Sequence, residues 1–429
     1  MTGLPHATGS GAEGPGHPAL PMGVPSRRIR VAQIITGLEL GGGGAVVSTI
    51  GRALDRTRFE MDVYCINEGG DMQPELERLG YRVVWLEGAW DYRRRLMPYS
   101  VRQIVKLAGM LRASQYDVVH THIFPADVIG RVAARLAGVP VMVKSLHNMG
   151  QWKTTRHIVT DRFLGRWTGA VICCSAFQLD VASAQERMRP GVGVVIHNGV
   201  ALHRFDVPRS AALARELGLD PQRPVVGTVG RMVEAKGHRY FVEAIPQVLA
   251  RRPDAQFLFV GDGQLRKTLW DQLPVAARPN VCFAGARSDI PELMALMDVF
   301  VFPSISEAFG IALIEAMASR LPVVASDIRP LRDIVVPGET GLLVPAHSSG
   351  PLADAIISLL ENPERESFGA RGRRRVESHY TDEQMVRATE DIYVRLLAAK
   401  ASARRAHTSE LAPGGTSVAV PRETGQAKS

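Results

Sequence analysis

Four cysteines in 429 residues, with no Cys-x-x-Cys pair among them, give no basis for a disulfide framework or a zinc site. Cys65, Cys173, Cys174 and Cys282 all lie in apolar, strand-like runs, as suits a reducing cytoplasm. No apolar run approaches the roughly 18 residues that span a bilayer. The first 26 residues have no Lys or Arg, so they lack the charged start of a secretory signal, and their Gly- and Pro-rich composition predicts a disordered leader. Gly-x-x-x-x-Gly-Lys-Ser/Thr is missing, as is a clean Gly-x-Gly-x-x-Gly fingerprint. There is also no Asp-x-Asp pair of the kind that holds a divalent metal on a diphosphate, so neither metal nor cofactor is expected, and no nucleic-acid partner.

The net charge of +8 is unevenly spread. Residues 27–203 hold 23 Lys and Arg against 15 Asp and Glu, whereas residues 204–400 hold 24 against 25. A basic half beside a neutral one suits an anionic surface or a phosphorylated substrate. The stretch "WDYRRRLMPYS" places Arg93, Arg94 and Arg95 among aromatics and reads two ways, as contact with the inner face of an anionic membrane or as a grip on a soluble anionic acceptor.

Seven Val- and Ile-rich runs alternate with helical periods up to residue 203: "IRVAQIIT", "EMDVYCI", "YRVVWL", "YDVVHTH", "VPVMVKSLH", "AVICCS" and "GVVIHN". Six more follow residue 223: "PVVGTVGR", "AQFLFVGDG", "NVCFAG", "DVFVFPS", "LPVVASD" and "GLLVP". This predicts an α/β chain of two doubly wound domains facing across a cleft. The expected division is a leader over 1–26, an acceptor domain over 27–203, a linker over 204–223 and a donor domain over 224–376. A helix over 377–400 that packs back on the first domain and a disordered tail over 401–429 complete it. Thr381 stands where it would cap that helix, with Glu383 or Gln384 in the first turn.

Polar residues cluster where strands end. In "SISEAFGIALIEAMA", Glu307 and Glu315 bracket a glycine that opens a helix. Gly310 lets a ligand approach the backbone, the free N–H groups of the helix start favour phosphate, and Glu315 is one turn beyond Ile311 on the same face. The pair reads as a clamp for a nucleotide sugar, although Ser304 and Glu307 also have the spacing of a capping box and Glu315 could be a plain surface charge. In "GTVGRMVEAKGH", Arg231 and Lys236 follow a strand and could neutralise a diphosphate. Gly41 to Gly44 read as a phosphate-binding loop between strand and helix. His120, His122 and His147 end two strands; the three could bind a metal, whereas His122 and His147 alone read as sugar contacts and His120 as structural.

Together these stretches resemble glycosyltransferase family 4, the retaining enzymes of the two-Rossmann-domain GT-B fold. The E-x7-E motif is matched by Glu307 and Glu315, the Arg and Lys pair by Arg231 and Lys236, the "PNGV" turn by "HNGV" with Asn198 and Gly199, and "GDG" by Gly261, Asp262 and Gly263. The resemblance covers residues 29–398. It implies that Arg231, Lys236 and the N–H groups of Gly310 and Ile311 hold the donor diphosphate. Glu315 would meet the ribose, Glu307 the donor sugar, Arg287 the base, and His122 the sugar near its reacting carbon. His122, Arg231, Lys236 and Glu307 form the expected catalytic set, and Gly43, Gly44, His147, Asn198, Gly230 and Phe309 join the donor-binding residues. The implied activity is transfer of a sugar from a nucleoside diphosphate to a glycan, lipid-linked or other hydroxyl acceptor. A nucleotide-sugar epimerase or hydrolase, or a non-catalytic binder, are the alternatives on the same fold. "IRPLRD" after the "ASD" strand departs from the family's Gly-Gly-Glu pattern, which bears on donor preference.

Overall fold

A computed structural model describes residues 25–411, apart from 40, 68, 87–100 and 151–152. Two parallel sheets carry the architecture. The first contains β1 (Ile29–Ile35), β2 (Phe59–Cys65), β3 (Arg82–Trp85), β4 (Val118–His122), β5 (Val141–Leu146), β6 (Ala170–Cys173) and β7 (Gly193–Val195) in the order β3-β2-β1-β4-β5-β6-β7. The second contains β8 (Val225–Val229), β9 (Gln256–Val260), β10 (Val281–Gly285), β11 (Val299–Phe302), β12 (Val323–Ser326) and β13 (Gly341–Val344) in the order β10-β9-β8-β11-β12-β13. Central strands such as β4, β9 and β11 are buried along their whole length, as a sheet covered on both faces requires.

Strand order reverses between β1 and β4 in one sheet and between β8 and β11 in the other, and crevices open beyond the strand ends at such points. His120 and His122 belong to the first switch point. Arg231, Lys236 and Glu307, in the loops that leave β8 and β11, belong to the second.

Helix Asp382–Leu411 returns to the first sheet, where Met385, Val386, Ile392, Tyr393 and Leu397 share a core with β1, β2 and β5. Its start is a reciprocal cap: Gln384 N donates to Thr381 Oγ1 at 3.2 Å and Thr381 N to Gln384 Oε1 at 3.3 Å. The helix continues past residue 400, where a tail was expected, because "ASARRAHTSEL" keeps strong helix formers after its apolar period fades. The rest of that tail, the leader and the Arg93–Arg95 segment lie outside the described residues.

The first domain also buries cations. Arg131, Lys144 and Lys153 are paired with Asp127, Asp161 and Glu186 at 2.5–3.4 Å. Three positive and three negative groups cancel, so the basic surplus of this half resides at its surface.

Candidate active site

The second domain assembles most of the expected site. Lys236 Nζ donates to Glu307 Oε1 at 2.5 Å, and Ser304 Oγ donates to the same oxygen at 2.8 Å. Glu307 therefore is not a cap: it meets a side-chain hydroxyl and an ammonium, and the helix starts four residues later, at Ile311. Lys236 is about a quarter exposed and its ammonium lies over the Phe302 ring, 5.5 Å from the ring centre, so the charge is held at the cleft surface. Gly230 packs beside Lys236, and the exposed guanidinium of Arg231 has no hydrogen bond or ion pair among the described residues. Gly310 has φ 119°, a left-handed conformation that glycine adopts without strain. The Gly310 and Ile311 N–H groups make no hydrogen bond among the described residues, leaving two donors at the helix start.

Glu315 sits one turn further along. Burial raises its carboxyl to about 7, while the charges of Arg204 and Arg52 pull in the opposite direction. It is not the plain surface charge that an Ala-rich helix allows. Arg52 comes from the first domain, on helix Gly42–Ala53, and the start of that helix also faces the site: a Cβ on Gly42 would lie 3.8 Å from Ile311 Cδ1. Gly43 and Gly44 form the first turn of this helix and are buried, where a free loop was expected. A Cβ on Gly43 would collide with Ile123 Cδ1 at 2.2 Å, so the absence of a side chain serves packing against the end of β4.

The histidines stand on the first-domain side. His122 Nδ1 is 2.9 Å from His147 Nε2, and His122 Nε2 is 2.7 Å from Gln33 Oε1. His120 is engaged at both nitrogens, by Tyr393 Oη at 2.6 Å and Ser145 Oγ at 2.7 Å. Burial lowers His120 to about 3, His147 to about 4 and His122 well below its ordinary value, so all three rings are neutral at pH 7. Among the described residues no group of three or more His, Cys, Asp or Glu is arranged to hold a metal.

The other expected residues have partners or packing of their own. The Phe309 ring is in the core, between His197 and Tyr380 at 5.7 Å from each, so only its backbone can face the cleft. Arg287 is committed to Asp289 at 2.6 Å and to Glu216 at 3.7 Å. Asp262 pairs with Arg266 at 3.1 Å, and its carbonyl accepts from Met232 N at 2.8 Å. At Gly261 a Cβ would lie 2.1 Å from Gly230 O, so "GDG" braces the loop that bears Arg231. Asn198 is half-buried and its side chain makes no hydrogen bond among the described residues, and Gly199 next to it lies against the Thr381 backbone. The divergent loop reaches the first domain: Arg329 is 3.6 Å from Asp180 and stacks over Phe177. A cavity of about 550 Å³ opens at the outer edge of the second sheet, lined by Leu219, Arg266, Trp270 and Phe283, and none of the expected site residues lines it.

Sequence reasoning missed Gln33, Tyr393 and Arg52. Gln33 had a signal, a lone amide in the apolar run "IRVAQIIT". Tyr393 and Arg52 had none, since each acts across a long separation in sequence.

Residues 40–204 match the profile of glycosyltransferase family 4, and residues 223–362 match that of glycosyl transferases group 1. An alpha-D-kanosaminyltransferase from Streptomyces kanamyceticus is 36% identical over 302 residues, which are 65% of this chain and 75% of that protein. The chain belongs to the family 4 glycosyltransferases. It is thus a sugar-transferring enzyme, and the other activities open to the fold find no support among these relatives. The UDP-Gal:alpha-D-GlcNAc-diphosphoundecaprenol alpha-1,3-galactosyltransferase of Escherichia coli is 28% identical over 313 residues, 70% of this chain and 81% of that one. The family 4 chain also shares its GT-B fold with Anabaena Alr3699/HepE in complex with UDP and glucose, at a TM-score of 0.72–0.73 across its complexes and 0.73 for this one; the identity is 22%, with 85% of this chain and 99% of that chain covered.

Proposed function

We propose that this glycosyltransferase moves a sugar, with retention at the anomeric carbon, from a nucleoside diphosphate to a hydroxyl of a glycan or lipid-linked acceptor in polysaccharide or glycoconjugate synthesis. One observation carries the reading: an ammonium, a carboxylate and two free backbone donors converge beside Gly310, opposite a neutral histidine pair. As the anomeric C–O bond breaks, negative charge grows on the leaving diphosphate. Lys236, Arg231 and the N–H groups of Gly310 and Ile311 stabilise that charge without solvent having to reorganise. Glu307, anchored by Ser304, keeps Lys236 in place and accepts hydrogen bonds from the sugar. Glu315 accepts from the ribose, and His122 and His147 contact the sugar. The bracing of Asp262 and Gly261 gives them a supporting part.

The test is a panel of UDP-glucose, UDP-galactose, UDP-N-acetylglucosamine and GDP-mannose, read first by thermal stabilisation and then by product analysis with a hydroxyl acceptor. A donor at 100 times its Kd stabilises the fold by about 2.7 kcal/mol. A panel in which no nucleotide sugar raises the melting temperature overturns the reading.

A second reading concerns location, and a specific surface favours it. No described helix is long and apolar enough to cross a membrane. Val101, Val105, Leu136, Val159 and Phe163 are nonetheless about half or more exposed, on the neighbouring helices Val101–Ser114, Ala126–Ala137 and Thr155–Leu164. The same helices expose Arg102, Lys106, Arg112, Arg135, Arg156 and Arg162, while their only acidic residues, Asp127 and Asp161, are buried. A face with apolar side chains and one sign of charge suits peripheral attachment to an anionic bilayer on the cytoplasmic side.

A further inference from the structure

Six polar side chains form an unbroken line from the middle of the first domain to the cleft: Ser145, His120, Tyr393, Gln33, His122 and His147. Every contact in it is given by geometry: Ser145 to His120 at 2.7 Å, His120 to Tyr393 at 2.6 Å, Tyr393 to Gln33 at 3.3 Å, Gln33 to His122 at 2.7 Å, and His122 to His147 at 2.9 Å. All but His147 are buried, so within the line each can be satisfied only by its neighbours. Buried polar networks are costly unless complete, and this one threads strands β1, β4 and β5 and the returning helix Asp382–Leu411.

The line has a direction, set by the Gln33 amide. An amide carries one acceptor and one donor end, so it cannot present the same polarity on both sides. With Oε1 toward His122, that ring donates from Nε2 and its Nδ1 is a bare acceptor, which receives the Nε2–H of His147. With Nε2 toward Tyr393, the phenol accepts a weak bond and donates its own proton to His120 Nδ1, and His120 Nε2–H goes to Ser145. The 2.6 Å separation suits a phenol donating to an imidazole. Reversing the amide would ask the Tyr393 hydroxyl to donate to an oxygen across 3.3 Å, beyond the range of about 2.5–3.0 Å for such a bond.

We propose that Gln33 and Tyr393 are positioning residues that lock His147 in its Nε2–H tautomer and so present its unprotonated Nδ1 to the cleft as a hydrogen-bond acceptor for a hydroxyl. His147 Nδ1 has no partner among the described residues, and His147 is the one member of the line that solvent reaches. The low proton affinity of all three rings keeps the chain neutral and its polarity intact near pH 7. A neutral acceptor there selects a hydroxyl and rejects a second acceptor such as a carboxylate. The hydroxyl belongs to the donor sugar or to the attacking acceptor, a step that rests on the transferase reading above, whereas the tautomer does not.

Two measurements separate these parts. The first is the ¹⁵N spectrum of histidine-labelled full-length protein without ligand, assigned with His122→Ala and His147→Ala. Wild type should show His122 and His147 as neutral Nε2–H tautomers. Gln33→Met keeps the length of the side chain and Tyr393→Phe keeps the ring, and each should move the His147 resonances toward a mixture of tautomers. A wild-type His147 protonated on Nδ1, or tautomers unchanged in both variants, overturns the lock. The second measurement is turnover of whichever nucleotide sugar in the panel is bound. Both variants should lose about 10-fold or more in kcat with donor KM within about 3-fold, since a misplaced acceptor is felt in the transition state. Gln33→Glu, which keeps an acceptor toward His122, should retain more turnover than Gln33→Met. Shifted tautomers with unchanged kcat overturn the hydroxyl-acceptor role and leave the transferase assignment to be judged by the donor panel alone.

Discussion

Lys236 and Glu307 form a direct ion pair across 2.5 Å, from loops on either side of the switch point of the second sheet. The carboxylate is nearly covered and the ammonium is not. The pair thus works as a bracket that holds a cation toward the cleft.

Lys236→Ala should leave the protein folded, because Glu307 keeps its bond from Ser304, and should lower kcat by about 100-fold or more. Glu307→Gln should also lower turnover, and the double variant should lose less than the two single losses combined, since each residue acts partly through the other. Additive losses in a four-point kinetic cycle would show that the pair does not act as a unit.

Glu315 provides a pH test whose sign is fixed by its raised carboxyl. With a folded value of about 7 against 4.5 in the unfolded chain, the proton is retained longer by the folded state. The stability contribution of the protonated group is therefore fully present below about pH 4.5 and is lost as pH rises through about 7. Glu315→Gln removes this dependence. The melting temperature of the variant relative to wild type should rise between about pH 4.5 and pH 7 and then level off, and a difference that stays flat across that window would contradict the assignment. Donor affinity should move the opposite way at pH 8, since the variant loses the carboxylate proposed to receive the ribose hydroxyls.

Transfer should survive a strong chelator. On the proposed reading, Lys236, Arg231 and the helix start at Gly310 supply the positive field that a divalent ion would otherwise bring to the diphosphate. Activity abolished by chelation and restored by one added metal would show that this field is insufficient.

The basic, apolar-studded face of the first domain makes a membrane prediction. The protein should cosediment with vesicles containing phosphatidylserine at low salt, each cation contributing about 1 kcal/mol near the surface. Val159→Glu combined with Phe163→Glu should release it without altering the melting temperature, as both side chains are exposed. Equal sedimentation of wild type and variant would place the contact elsewhere, the Arg93–Arg95 segment being the next to test.

All thirteen Val- and Ile-rich runs read from the sequence contain a strand, because a parallel sheet buried on both faces demands short apolar runs at regular intervals. The Lys236, Glu307 and Gly310 grouping was legible for a related reason: polar residues immediately after such runs lie at strand ends, where crevices form. Positions whose roles depend on distant partners were not legible. Phe309 looked like a cleft residue from its place in the motif, and only the packing of His197 and Tyr380 puts its ring in the core. Arg287 resembles a free cation until Asp289 and Glu216 appear beside it. The four glycines that begin at Gly41 suggested a loop because glycine disfavours helices, a preference of about 1 kcal/mol per residue that close packing against Ile123 overrides.

The return of helix Asp382–Leu411 to the first sheet also sets an order of events at the ribosome. Strand β7 is finished at Val195, but Tyr393 and Leu397, which complete the core of that domain, are made about 200 residues later. At about 5–20 residues per second, the first domain waits roughly 10–40 s with an apolar face uncovered. The second domain can close its own sheet in that interval. The half that comes first from the ribosome is thus the half that is completed last, and a fragment that stops at residue 203 is a domain with part of its interior missing.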